Sequence, residues 1–133
     1  METAAKILIT GGVLNIAYGF LTGLFFANVR MRSAEAPKYL VTAHVGPLMQ
    51  GPMLLGLALA VNLSTLPAGV ETLAASLLVA GSALLAAADT LCWVQGVEDA
   101  FAERPLGFYL ATMQVLLASV GLLILTVGVF QGL

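Results

Sequence analysis

The chain has 133 residues, of which 7 are acidic, 5 are basic and 60% are apolar; its mean hydropathy is +1.02. A soluble domain carries roughly a quarter of its residues as Asp, Glu, Lys or Arg, and 9% here excludes one. It equally excludes a disordered segment and a nucleic-acid binder, which needs a basic stripe, while the single Cys92 excludes an intrachain disulfide. An integral membrane protein remains.

The charges divide the chain into spans. Ile7–Val29 carries no Asp, Glu, Lys or Arg, and a crossing needs about 20 apolar residues, so a first helix is expected over about 5–28. Its apolar run exceeds a signal-peptide core and no small-x-small cleavage site follows, so it stays a helix. Asn15, Tyr18 and Thr22 sit at i, i+3 and i+7 on one face of it.

The next charge-free stretch, Tyr39–Val70, is too short for two crossings and a turn. Its tail from Asn62 to Gly69 reads as a loop, which leaves a second helix over about 39–62. This helix holds Thr42, His44 and Gln50, and Gly46, Pro47, Gly51 and Pro52 thin its surface and kink it. The third stretch, Thr72–Ala88, reaches span length only by running past Asp89 to Gln95. A helix over about 71–95 therefore places Asp89 inside the membrane, together with Thr90, Cys92 and Trp93. Cys92 reads as a small buried filler and Trp93 as an interfacial belt residue. Glu98, Asp99 and Glu103 read as a solvated loop. Pro105–Leu133 supplies the fourth helix, over about 105–131, with Tyr109 and Gln114.

Long continuous apolar runs are helical rather than barrel strands, and short connections make neighbours antiparallel. The expected fold is a single domain over 1–133, all-α and integral to the membrane, an up-down bundle of four transmembrane helices. Arg30, Arg32, Lys38 and Arg104 lie in the first and third loops, against Lys6 on the other side. The positive-inside rule puts those two loops in the cytoplasm, and the expected location is the bacterial inner (cytoplasmic) membrane. Small residues recur four apart at Gly19/Gly23, Ser82/Ala86, Ala83/Ala87 and Gly128/Gly132, a spacing that lets helices approach closely in lipid. A bundle this small has little interior, so a homo-oligomer is expected.

Polar groups cost energy in hydrocarbon, and they mark where function is sought. At about 1.5 Å per residue, His44 lies roughly 9 Å inside Lys38, and Asp89 lies equally far inside Gln95. Tyr109 and Gln114 enter from the same side. One polar layer on the side of the first and third loops is the expectation. His44, the lone histidine, cannot build a zinc site by itself, but one imidazole suffices as the proximal ligand of a haem. Asp89 reads as a proton relay, a substrate hydrogen-bond partner or a neutral acid bonded to a neighbouring helix. Asn15 and Tyr18 either line a pocket or cross-bond two helices.

The stretch Ala43-His-Val-Gly-Pro-Leu-Met-Gln-Gly-Pro-Met-Leu-Leu-Gly-Leu-Ala-Leu, after a loop with Asn28-Val-Arg-Met-Arg, resembles the hydroxylaminobenzene mutases and the related styrene oxide isomerases. These are small four-helix membrane proteins whose second helix begins with a pattern like His-Leu-Glu-Gly-Val-Met-Asn-Gly. Length, helix count and loop sizes agree, and the match is specific around His44, Met49 and Gly51. The resemblance implies haem b with His44 on the iron and Met49 and Gly51 beside the cofactor. It also implies Gln50 in the place of a substrate-contacting asparagine, Asp89 as the acidic residue of the third helix, and a homotrimer with haem between subunits. Gly46 and Pro47 stand where the family has glutamate and glycine, and no tyrosine of its third helix carries over.

The implied activity is a redox-neutral rearrangement of a small aromatic substrate drawn from membrane lipid. It converts an aryl hydroxylamine to an aminophenol or, alternatively, an aryl epoxide to an aldehyde. Ferric haem acts as the Lewis acid, and Gln50, Asp89, Tyr18 and Asn15 surround the open face. Two other classes compete. A small multidrug transporter calls for an acidic residue in the first helix, where there is none. A non-catalytic haem-binding subunit of a larger complex would co-purify with a partner. No nucleic acid is expected.

Overall fold

The computed structural model describes residues 2–133. Four helices long and apolar enough to cross a membrane account for nearly all of it: α1 (Thr3–Arg32), α2 (Lys38–Ala60), α3 (Ala68–Val94) and α5 (Leu106–Gly132), with a one-turn α4 (Ala100–Glu103) before the last. No strand occurs among the described residues. The protein is all-helical and has the build of a multi-pass membrane protein, as composition predicted. A 3-10 turn, Val61–Leu63, closes α2.

The helix ends follow from local chemistry. Gly96 adopts φ +67, and with it the Gly96 N–H reaches the Trp93 carbonyl and the Val97 N–H reaches that of Cys92. This is a Schellman ending, in which a left-handed glycine satisfies carbonyls the helix leaves open. The acidic third loop, expected only to be solvated, has a structural role. Asp99 accepts from the N–H groups of Phe101 and Ala102, and Glu103 Oε1 accepts from those of Glu98 and Asp99. Such reciprocal capping lets a single turn stand as α4. Tyr39 fixes that turn to α2 by accepting the Ala100 N–H at 3.0 Å.

Backbone proximity sets the packing. A Cβ on Gly12 would lie 2.9 Å from the Gly51 carbonyl oxygen, and one on Gly51 would lie 2.9 Å from that of Gly12. The α1–α2 crossing is therefore open only to glycine. Further along the same antiparallel seam, Gly19 meets Leu48 and Gly23 meets His44. On the other flank α5 packs antiparallel to α3, with Gly107 against Ala88 and Cys92 and Gly121 against Ala74 and Leu78. Helices α1 and α3 run parallel and adjacent, but α5 makes no extended contact with α1 or α2. The up-down order holds, yet the assembly is a three-helix cluster with the fourth helix on one side rather than a square bundle.

Pro47 has no N–H and so leaves the Ala43 carbonyl without its helical donor. Thr22 of α1 faces that carbonyl, its hydroxyl 3.1 Å away. In hydrocarbon a freed carbonyl needs such a neighbour.

Two outcomes follow for stability in detergent. Gly51→Val should destabilise by about 1–3 kcal/mol through overpacking, whereas Gly56→Ala, with open space around it, should not; reversible unfolding in a denaturing detergent measures both. Thr22→Val should cost about 0.6 to 1.7 kcal/mol, the span found for hydrogen bonds between membrane helices. That cost should shrink in a Pro47→Ala background, where the restored N–H serves Ala43.

Candidate functional site

The polar residues of the spans come together in three places, not one. The first is the α1–α2 seam. His44 Nδ1 lies 2.8 Å from the Gly19 carbonyl oxygen. A carbonyl only accepts, so Nδ1 carries a proton, and the lone pair that an imidazole offers to a ligand is the one on Nε2. Phe26 stacks on the imidazole with ring centroids 5.5 Å apart and 17° between planes. A Cβ on Gly23 would lie 2.7 Å from His44 Cε1, so this glycine makes the room the ring occupies. Nε2 has no hydrogen-bond partner among the described residues. No polar side-chain atom is both sealed and unpaired, so Nε2 reaches the surface of the helix pair. Thr22, expected on the same face of α1 as Asn15 and Tyr18, is buried here beneath the ring's seam.

The second place is a lateral groove of about 790 Å³ between α1 and α3, floored by Asn15, Tyr18 and Thr90 and walled by Ala83, Ala86 and Ala87. Asn15, 8% exposed, donates to the Gly11 carbonyl at 2.9 Å and to Ser82 Oγ at 3.0 Å. One amide proton is thus held within α1 and the other ties α1 to α3, and its carbonyl is left for a ligand. Thr90 gives its proton to the Ala86 carbonyl at 2.6 Å. The 2.5 Å contact between Tyr18 and Thr90 is therefore a donation from the phenol. The Ala83/Ala87 pair thins the groove wall instead of seating another helix of the chain.

The third place is a cavity of about 370 Å³ between α3 and α5 beneath α4, lined by Asp89, Cys92, Thr112 and the rings of Tyr39, Phe101 and Phe108. Asp89 faces the Thr42 hydroxyl, and its Oδ2 would lie 3.7 Å from a Cβ on Gly46. Helical residues turn by about 100° each, so Gly46 lies about 200° around α2 from His44. Asp89 and His44 are thus separated by the body of α2. Depth was right for both residues, but their directions differ.

The remaining expected site residues sit apart. Gly51 belongs to the α1–α2 crossing. Met49 is 70% exposed on the outer face of α2, and Gln50 is half-buried, turned by about 120° from His44. Tyr109 is exposed on α5. Trp93 is half-buried against Phe25, with centroids 5.8 Å apart. Two residues escaped the sequence reading. Tyr39 is buried at the head of α2, and Glu71, expected at the outer edge of the third helix, lies in the first turn of α3 at 3% exposure.

No group of three His, Cys, Asp or Glu side chains gathers among the described residues. A haem brings four nitrogens of its own and needs one imidazole from the protein, and His44, with its free Nε2 and a carbonyl on Nδ1, has the chemistry of such a ligand.

Tyr18→Phe should weaken the α1–α3 contact by about 0.6 to 1.7 kcal/mol without unfolding the protein, because Thr90 keeps its bond to Ala86. Unfolding in mixed micelles reads this directly.

Compared with family profiles, curated proteins and solved structures, the chain matches none.

Proposed function

We propose that the protein is a membrane-embedded isomerase that rearranges a small apolar aromatic substrate, an aryl hydroxylamine to an aminophenol, with haem b ligated by His44. The observation that carries this reading is the His44–Gly19 hydrogen bond, which leaves Nε2 as a fixed, outward lone pair. His44 would hold the haem, which would supply a Lewis acid to polarise the substrate's nitrogen–oxygen bond. An aryl epoxide offers a carbon–oxygen bond to the same chemistry and is the alternative substrate.

The chain's own residues do the rest. The Gly19 carbonyl draws on the Nδ1 proton and so strengthens Nε2 as a donor. Phe26 holds the ring plane. The groove floored by Asn15 and Tyr18 has the volume of a small-molecule site, and the Asn15 carbonyl and Tyr18 oxygen offer acceptors for a substrate hydroxyl or amine. Surrounding hydrocarbon keeps water from competing as nucleophile. Asp89 and Gln50 do not face His44 and have no part at the iron within one chain.

His44 and the groove occupy different faces of α1. A head-to-tail contact that brings one copy's groove to another's His44 closes into a ring where its rotation allows, and the homotrimer with haem near the subunit interface is one such arrangement. Arg30, Arg32, Lys38 and Arg104, all in or beside the first and third loops, support an orientation with those loops on the cytoplasmic side, and the location proposed is the bacterial cytoplasmic membrane.

The test is an absorption spectrum of the detergent-purified protein grown with haem precursor. A Soret band is expected in the wild type and should be absent in His44→Ala. Gly23→Ala, which presses on the ring, should lower haem content while the fold persists. Conversion of phenylhydroxylamine to aminophenol should follow haem content. A colourless wild type overturns the reading.

A further inference from the structure

The cavity between α3 and α5 has no part in the chemistry assigned to His44, yet it is lined by Asp89, a half-buried carboxylate more than a turn inside a span. We propose that this cavity is a binding site for a small lipophilic monocation, an arylalkylammonium in size and charge, with Asp89 as its counter-ion and Phe101 and Phe108 as its aromatic walls.

The argument starts from Asp89. It lies five residues before the end of α3, about 8 Å below that end at 1.5 Å per residue. Ionisable side chains at such depth face a cavity or a partner. Among the described residues the Thr42 hydroxyl is its polar neighbour, and no cationic side chain offsets it. The cavity it lines is otherwise apolar, at about 370 Å³, within the range of pockets that enclose small organic ligands.

The walls favour a cation over a neutral ligand of the same shape. Phe101 and Phe108 meet edge to face, with centroids 5.6 Å apart; half-buried Phe108 forms the inner wall, and Phe101, 79% exposed, stands at the mouth. A cation within about 6 Å of such a ring is attracted by its quadrupole, and more so when desolvated. Lys38 already lies 5.3 Å from the centroid of Tyr39, so that ring contributes mainly as an apolar wall. An anion is excluded by the carboxylate, and a large cation by the volume. Ala111 and Thr112 of α5 complete the lining; the first leaves space for a ligand's methyl groups.

The experiment uses the full chain in detergent and benzyltrimethylammonium, whose charge is permanent, measured by equilibrium dialysis of the radiolabelled probe. Saturable one-site binding is expected. Asp89→Asn should weaken it at least tenfold, and Ala111→Leu, which fills the cavity while leaving the carboxylate, should do the same. His44→Ala should leave it unchanged, so failure of the isomerase reading and failure of this one are distinguishable. Neopentylbenzene, the neutral isostere, should not compete. Absence of saturable binding, equal binding by Asp89→Asn, or full competition by the neutral isostere overturns the proposal.

Discussion

The approach of α1 to α2 at Gly12 and Gly51 is the contact on which the rest of the structure depends. With each glycine's missing side chain filled by the other's carbonyl, the two backbones run close enough for Thr22 to face the Ala43 carbonyl. Only at that separation can an imidazole on α2 reach a backbone oxygen on α1. A single side chain at the crossing would part the helices and take both hydrogen bonds with it. In lipid, where apolar surface gives little preference for one neighbour over another, backbone proximity and a few polar contacts determine which helix packs on which.

The same constraint explains why the polar groups fall into separate stations. Each seam gathers its own: Asn15 bonds Ser82 and Tyr18 bonds Thr90 between α1 and α3, His44 bonds Gly19 between α1 and α2, and Asp89 faces Thr42 between α3 and α2. A polar side chain in a thin bundle has one neighbour within reach, so pairing is local. Pairings on three sides of a small cluster leave three different surfaces for ligands.

Much of the architecture was legible in the sequence. Gaps between charges gave the number of spans and their ends to within a few residues, because length and apolarity are all a membrane asks of a helix. The extension of the third helix past Asp89 followed from the same arithmetic, and so did the depth of Asp89 and His44. Direction was harder to read. Depth depends on a residue's distance from a helix end, whereas direction depends on which neighbour the helix finds. Gly46 and His44 are two residues apart and face opposite ways. Glu71 marked the edge of the third span because it is charged, whereas the structure begins that helix at Ala68 and buries the carboxylate in its first turn. The capping role of Asp99 and Glu103 was visible in their spacing but was obscured by reading the acidic run as mere solvation. Tyr39, beside a charged loop, gave no sign that its hydroxyl would hold α4.

Helix α1 is also much the longest element, with 30 residues against 23 to 27 in the other spans. At 1.5 Å per residue it measures about 45 Å, while the hydrocarbon layer is about 30 Å thick. From the level where Tyr18 meets Thr90, α1 continues to Arg32 whereas α3 stops at Val94, so the excess projects on the side of the first and third loops and ends in Arg30 and Arg32. A lipid layer of different thickness will therefore act on α1 more than on its neighbours, drawing the arginines to the headgroups and changing the lean of the helix. Gly19 and Gly23 sit on that leaning helix while His44 sits on the other, which makes bilayer thickness a mechanical input to the angle of the imidazole.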